Sequence, residues 1–364
     1  MNQNAIQTKL SDGRDLFYFD DAGSALPRVR KPDSRDAAER PNVAQMRLDS
    51  LTGDWISIAA ARQNRAFLPP AHSCPLCPST QANLSEIPDN FDVAVFENKS
   101  PSFGPTLLAT DDVNYTFDQK LTLGSTRDSV GRCEVVVFSP EHTGSLASQS
   151  EQRFRTIIEA WATRNEALSA LPGVRQVFPF ENRGQEIGVT LHHPHGQIYA
   201  YPYVTPRTTK LLGAIERHGE DLFADTLAFE QAGERVIIAG ENFTAYVPFA
   251  ARWPMELHLL PHRQVGNFTE LNNAERDELA NVYRRILVGL DKIYDAPLPY
   301  IAAWHQAPLV QGGENVRMQL QITSPKRSAD KFKFLAGSEA AMGAFIGDVQ
   351  PETIAGILRE ALEK

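Results

Sequence analysis

Cysteine is scarce: the 364 residues hold three, two of them in the stretch CPLC at 74–77. Three thiols cannot make a disulfide framework, so stability has to come from a packed core. Excess positive charge is also missing. The formal net charge is −9, which argues against a broad nucleic-acid footprint, because that requires clustered Lys and Arg. No apolar run approaches the roughly 18 residues of a membrane-spanning helix. The opening MNQNAIQTKL is polar, so no secretory signal is expected. A soluble, cytoplasmic protein without nucleic-acid or membrane partners is the expectation.

What is present is ordinary core material, 42% hydrophobic and 22% charged. The length exceeds the usual single core, so two units or one duplicated unit is expected. Residues 1–45 are rich in Pro, Arg and Asp and read as an N-terminal arm. Beyond them, FDVAVFEN (91–98), CEVVVFSP (133–140), VRQVFPFEN (174–182) and HGQIYAYPYV (195–204) are β-branched and aromatic runs, hence strands. Between the second and third, Phe154, Ile157, Ile158, Trp161 and Leu168 recur at helical spacing. The order then repeats. MELHLLP (255–261) is a strand, and a helix follows with Leu279, Val282, Ile286, Leu290 and Ile293 on one face. YIAAW (300–304) and VRMQLQI (316–322) close the set. The pattern implies a duplicated α+β unit, divided as 46–207 and 208–364.

The nine histidines are not scattered: three fall in LHHPHGQIYA, 191–200. In an extended segment His193, His195 and Gln197 share a face. Pro194 biases His193 to that conformation, and Gly196 leaves room for a substrate beside the backbone. A neutral imidazole, with an unperturbed pKa of about 6.5, can attack phosphorus while an amide donates to a non-bridging oxygen. The bland alternative is surface histidines beside a proline turn. In HSCPLCP (72–78) the CxxC presents two thiolates at the spacing of a tetrahedral metal. A redox motif would need a helix from the first cysteine, and CPSTQANLSEIPDNF has no helical period. Histidines must complete the ligand set, and His142 and His193 have the best context. Cys133 stays outside it.

Taken together, these residues resemble the galactose-1-phosphate uridylyltransferases of the histidine-triad superfamily, from about residue 46 onward. ENRGQEIGVTLHHPHGQIYA is close to that family's signature. The resemblance implies a duplicated histidine-triad-like unit and a homodimer with shared active sites. UMP would pass between UDP-glucose and galactose 1-phosphate by a ping-pong mechanism. It implies that His195 is the nucleophile, that Gln197 holds the phosphoryl oxygens, and that Thr190, where serine is common, orients the imidazole. One Zn2+ per chain would be held by Cys74, Cys77, His142 and His193. Asn182 and Gly188 fall at phosphate positions, and Leu76, Phe96 and Asn98 at base and ribose positions. Arg62 and Arg65, which alone would read as a solvated face, match an Arg-x-x-Arg element. In KFKFLAGSE (331–339), Lys333, Phe334 and Glu339 match the sugar-phosphate segment. By the resemblance both the arginines and this segment reach the partner's site. Gln197 cannot transfer a proton at neutral pH, which favours exchange over hydrolysis.

The sequence departs from the family in three places. Of a second, iron-type site only His305 matches; Leu211, Gln321 and Thr323 stand at its other positions, so no metal is expected in the second half. Ser338 replaces a tyrosine in the sugar segment, and Lys99 stands where many members have aspartate. Two further readings remain: an adenylyltransferase resembling ADP-glucose phosphorylases, and a non-catalytic zinc protein that binds nucleotide sugars.

Overall fold

The computed structural model describes residues 5–36, 44–64, 67–107, 123–294 and 296–364. In chain order the first strands are β1 (Ala5–Lys9), β2 (Asp15–Phe19), β3 (Gln45–Leu48), β4 (Trp55–Ile58), β5 (Val93–Glu97) and β6 (Thr126–Asp128). Next come β7 (Arg132–Val137), β8 (Gln176–Arg183), β9 (His195–Tyr201), β10 (Val236–Ala239) and β11 (Phe243–Tyr246). The last are β12 (Met255–Pro261), β13 (Tyr300–His305), β14 (Gln319–Ser324), β15 (Lys326–Ser328) and β16 (Lys331–Phe332). The helices are α1 (Glu151–Ser169), α2 (Pro206–His218), α3 (Leu222–Gln231), α4 (Asn273–Asp291) and α5 (Pro351–Glu363).

Eleven strands form one sheet in the order β1-β2-β5-β7-β9-β8-β13-β14-β12-β11-β10. The order mirrors itself about the β8–β13 seam, where Tyr300 pairs with Arg183 and Ala303 with Phe180. The expected α+β duplication is therefore the fold: β7-α1-β8-β9 in one half is answered by β12-α4-β13-β14 in the other.

Local chemistry starts both long helices. Ser150 Oγ accepts from the Arg153 amide at the head of α1 (3.1 Å). At α4, Asn272 Oδ1 accepts from the Glu275 amide (3.0 Å) while the Asn272 amide donates to Glu275 Oε2 (2.8 Å), a reciprocal capping box. The expected apolar stripes of α1 and α4 are buried in one core on one face of the sheet. Ile293 lies past the end of α4 and is only partly buried. The opposite face carries two smaller clusters, one per half, and a cavity in each half, one at His195 and one at His258.

Among the described residues of the expected arm at 1–45, Ala5–Lys9 and Asp15–Phe19 belong to the sheet instead. β1 and β2 form a hairpin through a turn at Gly13 (φ +84°) and extend the sheet against β5. Arg14 is 1% exposed; it donates to Glu97 O (2.9 Å) and pairs with Asp12 and Glu86. Arg30 pairs with Asp20 and lies over the Tyr18 ring.

Candidate active site

Two strands and two loops bring the expected metal ligands together. Cys74 and Cys77 come from the loop before β5, His142 follows β7, and His193 precedes β9. Cys74 Sγ lies 3.7 Å from His193 Nδ1, and Cys77 Sγ lies 3.5 Å from that atom and 3.6 Å from His142 Nδ1. All four ligand atoms are within 4.8 Å of one another. A tetrahedral ion with bonds of about 2.3 Å to sulfur and about 2.05 Å to nitrogen separates such ligands by about 3.5 Å, so this donor set fits a metal ion. His193 Nε2–H donates to Ser139 O (2.8 Å), which leaves the lone pair on Nδ1, toward the sulfurs. Burial, with His142 and His195 nearby, pushes the His193 pKa down to about 4 and keeps the ring neutral. Burial and the adjacent Cys74 push the Cys77 thiol up to about 12. Two thiolates here need a cation beside them.

His195 opens β9. Its Nδ1–H donates to His193 O (2.7 Å), which fixes the tautomer and leaves the lone pair on Nε2. The candidate metal-ligand cluster and the His195 ring thus share one residue: His193 offers its side chain to the cluster and its carbonyl to His195. Of the three side chains expected on one face, His195 and Gln197 line one cavity of about 480 Å³, whereas His193, just ahead of β9, is buried against Cys74 and Cys77 instead. Thr190, Gly188, Asn182, Leu76, Phe96, Asn98 and Lys99 line the same cavity. Gly188 is left-handed (φ 84°), and the Leu68 amide donates to Thr190 O (2.8 Å). A second cavity of about 470 Å³ meets the first at His195 and Asn182 and includes Glu181. Burial pushes the Glu181 carboxyl up to about 7, and Tyr300 Oη–H donates to it (3.0 Å).

Several expectations change. Gly196 does not admit substrate: a Cβ there would come 2.8 Å from Phe138 Cζ and 2.9 Å from Phe180 O, so glycine is required by packing against the core. Arg62, expected to serve a partner's site, lines the His195 cavity of its own chain, donating to Ser102 Oγ (2.8 Å) and Tyr199 Oη (3.4 Å). Arg65 lies outside the described residues. Lys333 and Glu339 are not brought to His195. They are buried and paired with each other (2.7 Å), Lys333 donating also to Arg252 O (2.9 Å), while Phe334 is 76% exposed. In the second half Leu211, His305 and Gln321 line one cavity, and Thr323 sits between Ile301 and Glu256 in the sheet.

Some site residues went unnoticed in the sequence. Val135 lies opposite Gln197 and Val137 opposite His195; strand alternation in CEVVVF was a usable signal. Glu181 gave none, because its partner Tyr300 is 119 positions away.

The model of the galactose-1-phosphate uridyl transferase N-terminal domain matches residues 34–205, and that of the C-terminal domain matches 210–364. The chain is 43% identical over 318 residues to the galactose-1-phosphate uridylyltransferase of Streptomyces lividans, covering 84% of this chain and 81% of that one. With the Thermotoga maritima protein of the same name it is 35% identical over 323 residues, 87% of this chain and 98% of the other. A solved uridylyltransferase structure superposes with a TM-score of 0.75 at 30% identity, covering 88% of this chain and 98% of that one. The chain belongs to the galactose-1-phosphate uridylyltransferase family.

Proposed function

We propose that this chain moves a uridylyl group from UDP-glucose to galactose 1-phosphate through a covalent uridylyl-His195. The observation that carries the reading is the Nδ1–H···O=C bond from His195 to His193 (2.7 Å). It aims the Nε2 lone pair at substrate and stabilises the positive charge the ring gains on bonding to phosphorus. His195 Nε2 attacks the α-phosphorus, the bond to the β-phosphate oxygen breaks, and glucose 1-phosphate leaves as an anion. A phosphate oxygen of galactose 1-phosphate then attacks the same phosphorus, the P–N bond breaks, and the imidazole is restored. Neither step needs a proton at the bridging oxygen, so the Gln197 amide suffices as a donor to the non-bridging oxygens. Arg62 offsets phosphate charge, Asn182, Gly188 and Thr190 frame the phosphates, and Leu76, Phe96 and Asn98 hold base and ribose.

Cys74, Cys77, His142 and His193 would hold one zinc ion, a structural clamp that fixes the His193 carbonyl. The second half is proposed to hold no metal. We further propose a cytoplasmic homodimer in which Lys333, Phe334 and Glu339 of one chain reach the partner's sugar-phosphate pocket.

Incubation with UDP-glucose labelled in the uridylyl group, without acceptor, is expected to leave acid-labile label on wild type and none on His195→Ala. Label persisting on His195→Ala rejects the nucleophile. Turnover of ADP-glucose with phosphate in place of UDP-glucose exchange would favour the adenylyltransferase reading.

A further inference from the structure

On the face of the sheet opposite α1 and α4, the second half opens a cavity of about 820 Å³ lined by β12, β14, α2 and α3. It is the counterpart of the His195 cavity. Val137, three residues before Pro140, pairs with His195; His258, three before Pro261, pairs with Gln321. Gln321 therefore stands where the first half carries its imidazole.

The charges of this cavity do not balance. Arg207, Lys210 and Arg252 line it, and among the described residues no carboxylate pairs with any of the three. Glu230, the acid among the lining residues, and Glu256 on β12 behind His258 are already engaged. Glu256 accepts from the amides of Arg252 (2.6 Å) and Trp253 (3.2 Å) and from His258 Nε2 (3.1 Å). Glu230 accepts from Arg235 Nη2 (2.7 Å) and the Phe249 amide (2.9 Å). Desolvation and then the nearby Arg252 hold Arg207 below the ordinary arginine range, with Glu256 opposing them only in part; a bound anion would offset the remaining repulsion. The Arg207 guanidinium donates to Gln321 Oε1, which ties this exposed side chain to β14 in the cavity wall.

We propose that this second cavity binds a phosphate monoester, a sugar phosphate or a nucleoside monophosphate, and leaves it unreacted. Two guanidiniums and an ammonium suit a dianionic phosphate. Phe249 and Phe345, 64% and 39% exposed, line the same space; Arg235 lies over one ring and Arg252 over the other, which leaves their exposed apolar surface for a sugar or a base. The site does not depend on uridylyl transfer at His195.

Calorimetric titration of the full chain with UMP, glucose 1-phosphate and inorganic phosphate, separately, tests it. At least one of the two esters is expected to show a site beyond the His195 cavity in wild type. That site is lost in R207Q/R252Q, while uridylyl exchange is retained and reports the fold. Lys210→Gln, on the exposed side of α2, should weaken it about tenfold. UMP alone identifies a nucleotide site, and glucose 1-phosphate alone a sugar-phosphate site. A single site per chain for both esters, a second site unchanged in R207Q/R252Q and Lys210→Gln, or binding of inorganic phosphate but neither ester would overturn the proposal.

Discussion

Gly196 separates the two side chains on which the proposed chemistry turns, yet its own hydrogen faces the core. A methyl there meets Phe138 and the Phe180 carbonyl at under 3 Å. Gly196→Ala is expected to destabilise the protein by about 1–3 kcal/mol, measured by thermal unfolding, through a shift of β9 against β8. Glu181 gives a second prediction. Its folded pKa of about 7 lies above its ordinary value of 4.5 because of burial. The unfolded chain thus ionises first, and stability falls as pH rises from about 4.5 to 7. Glu181→Gln should flatten that dependence and raise stability at pH 8 by up to about 3 kcal/mol, with little change at pH 4.5. At this scale the sequence was legible where rare residue types cluster. Cys74, Cys77, His142, His193 and His195 stand out by scarcity and spacing. The carbonyl that orients His195 could not be read, since every residue has one, and the tilt of the chain at Pro194 decides where it points.

At the scale of elements, periodicity carried the reading. α1, α4 and the paired strands were visible because their apolar stripes face one core. The β1–β2 hairpin was not, because a polar Ser-Asp-Gly turn and abundant Arg and Asp outweigh the short run DLFYF. Its charges are consumed internally, Arg14 by Asp12 and Glu86, and Arg30 by Asp20. Removing residues 1–19 would bare the edge of β5, and an uncovered edge recruits other chains. Increased light scattering of the truncated protein at equal concentration is the expected result. The candidate metal-ligand cluster brings together the loop before β5, the segment after β7 and the entry to β9. Cys77→Ala, or prolonged chelation, should lower metal content and melting temperature together. It should also slow uridylylation, because His193 then no longer holds its carbonyl against His195 Nδ1.

Across the whole molecule, the duplication was legible as a repeated order of strands and helix, but the joint between the copies was not. Nothing in the sequence announces that Ile301 and Ala302 will pair with Asn182 and Glu181. These contacts connect residues more than a hundred positions apart, and no local propensity encodes them. The seam makes a single cooperative unfolding transition the expectation, coincident by far-ultraviolet dichroism and tryptophan fluorescence.

The β8–β13 ladder has one more consequence. Because it fuses both halves through main-chain bonds, neither can swing on a hinge without tearing the sheet. Substrate enclosure has to come from peripheral segments or from a neighbouring chain. The radius of gyration of the full protein in solution should therefore be the same with and without saturating UDP-glucose.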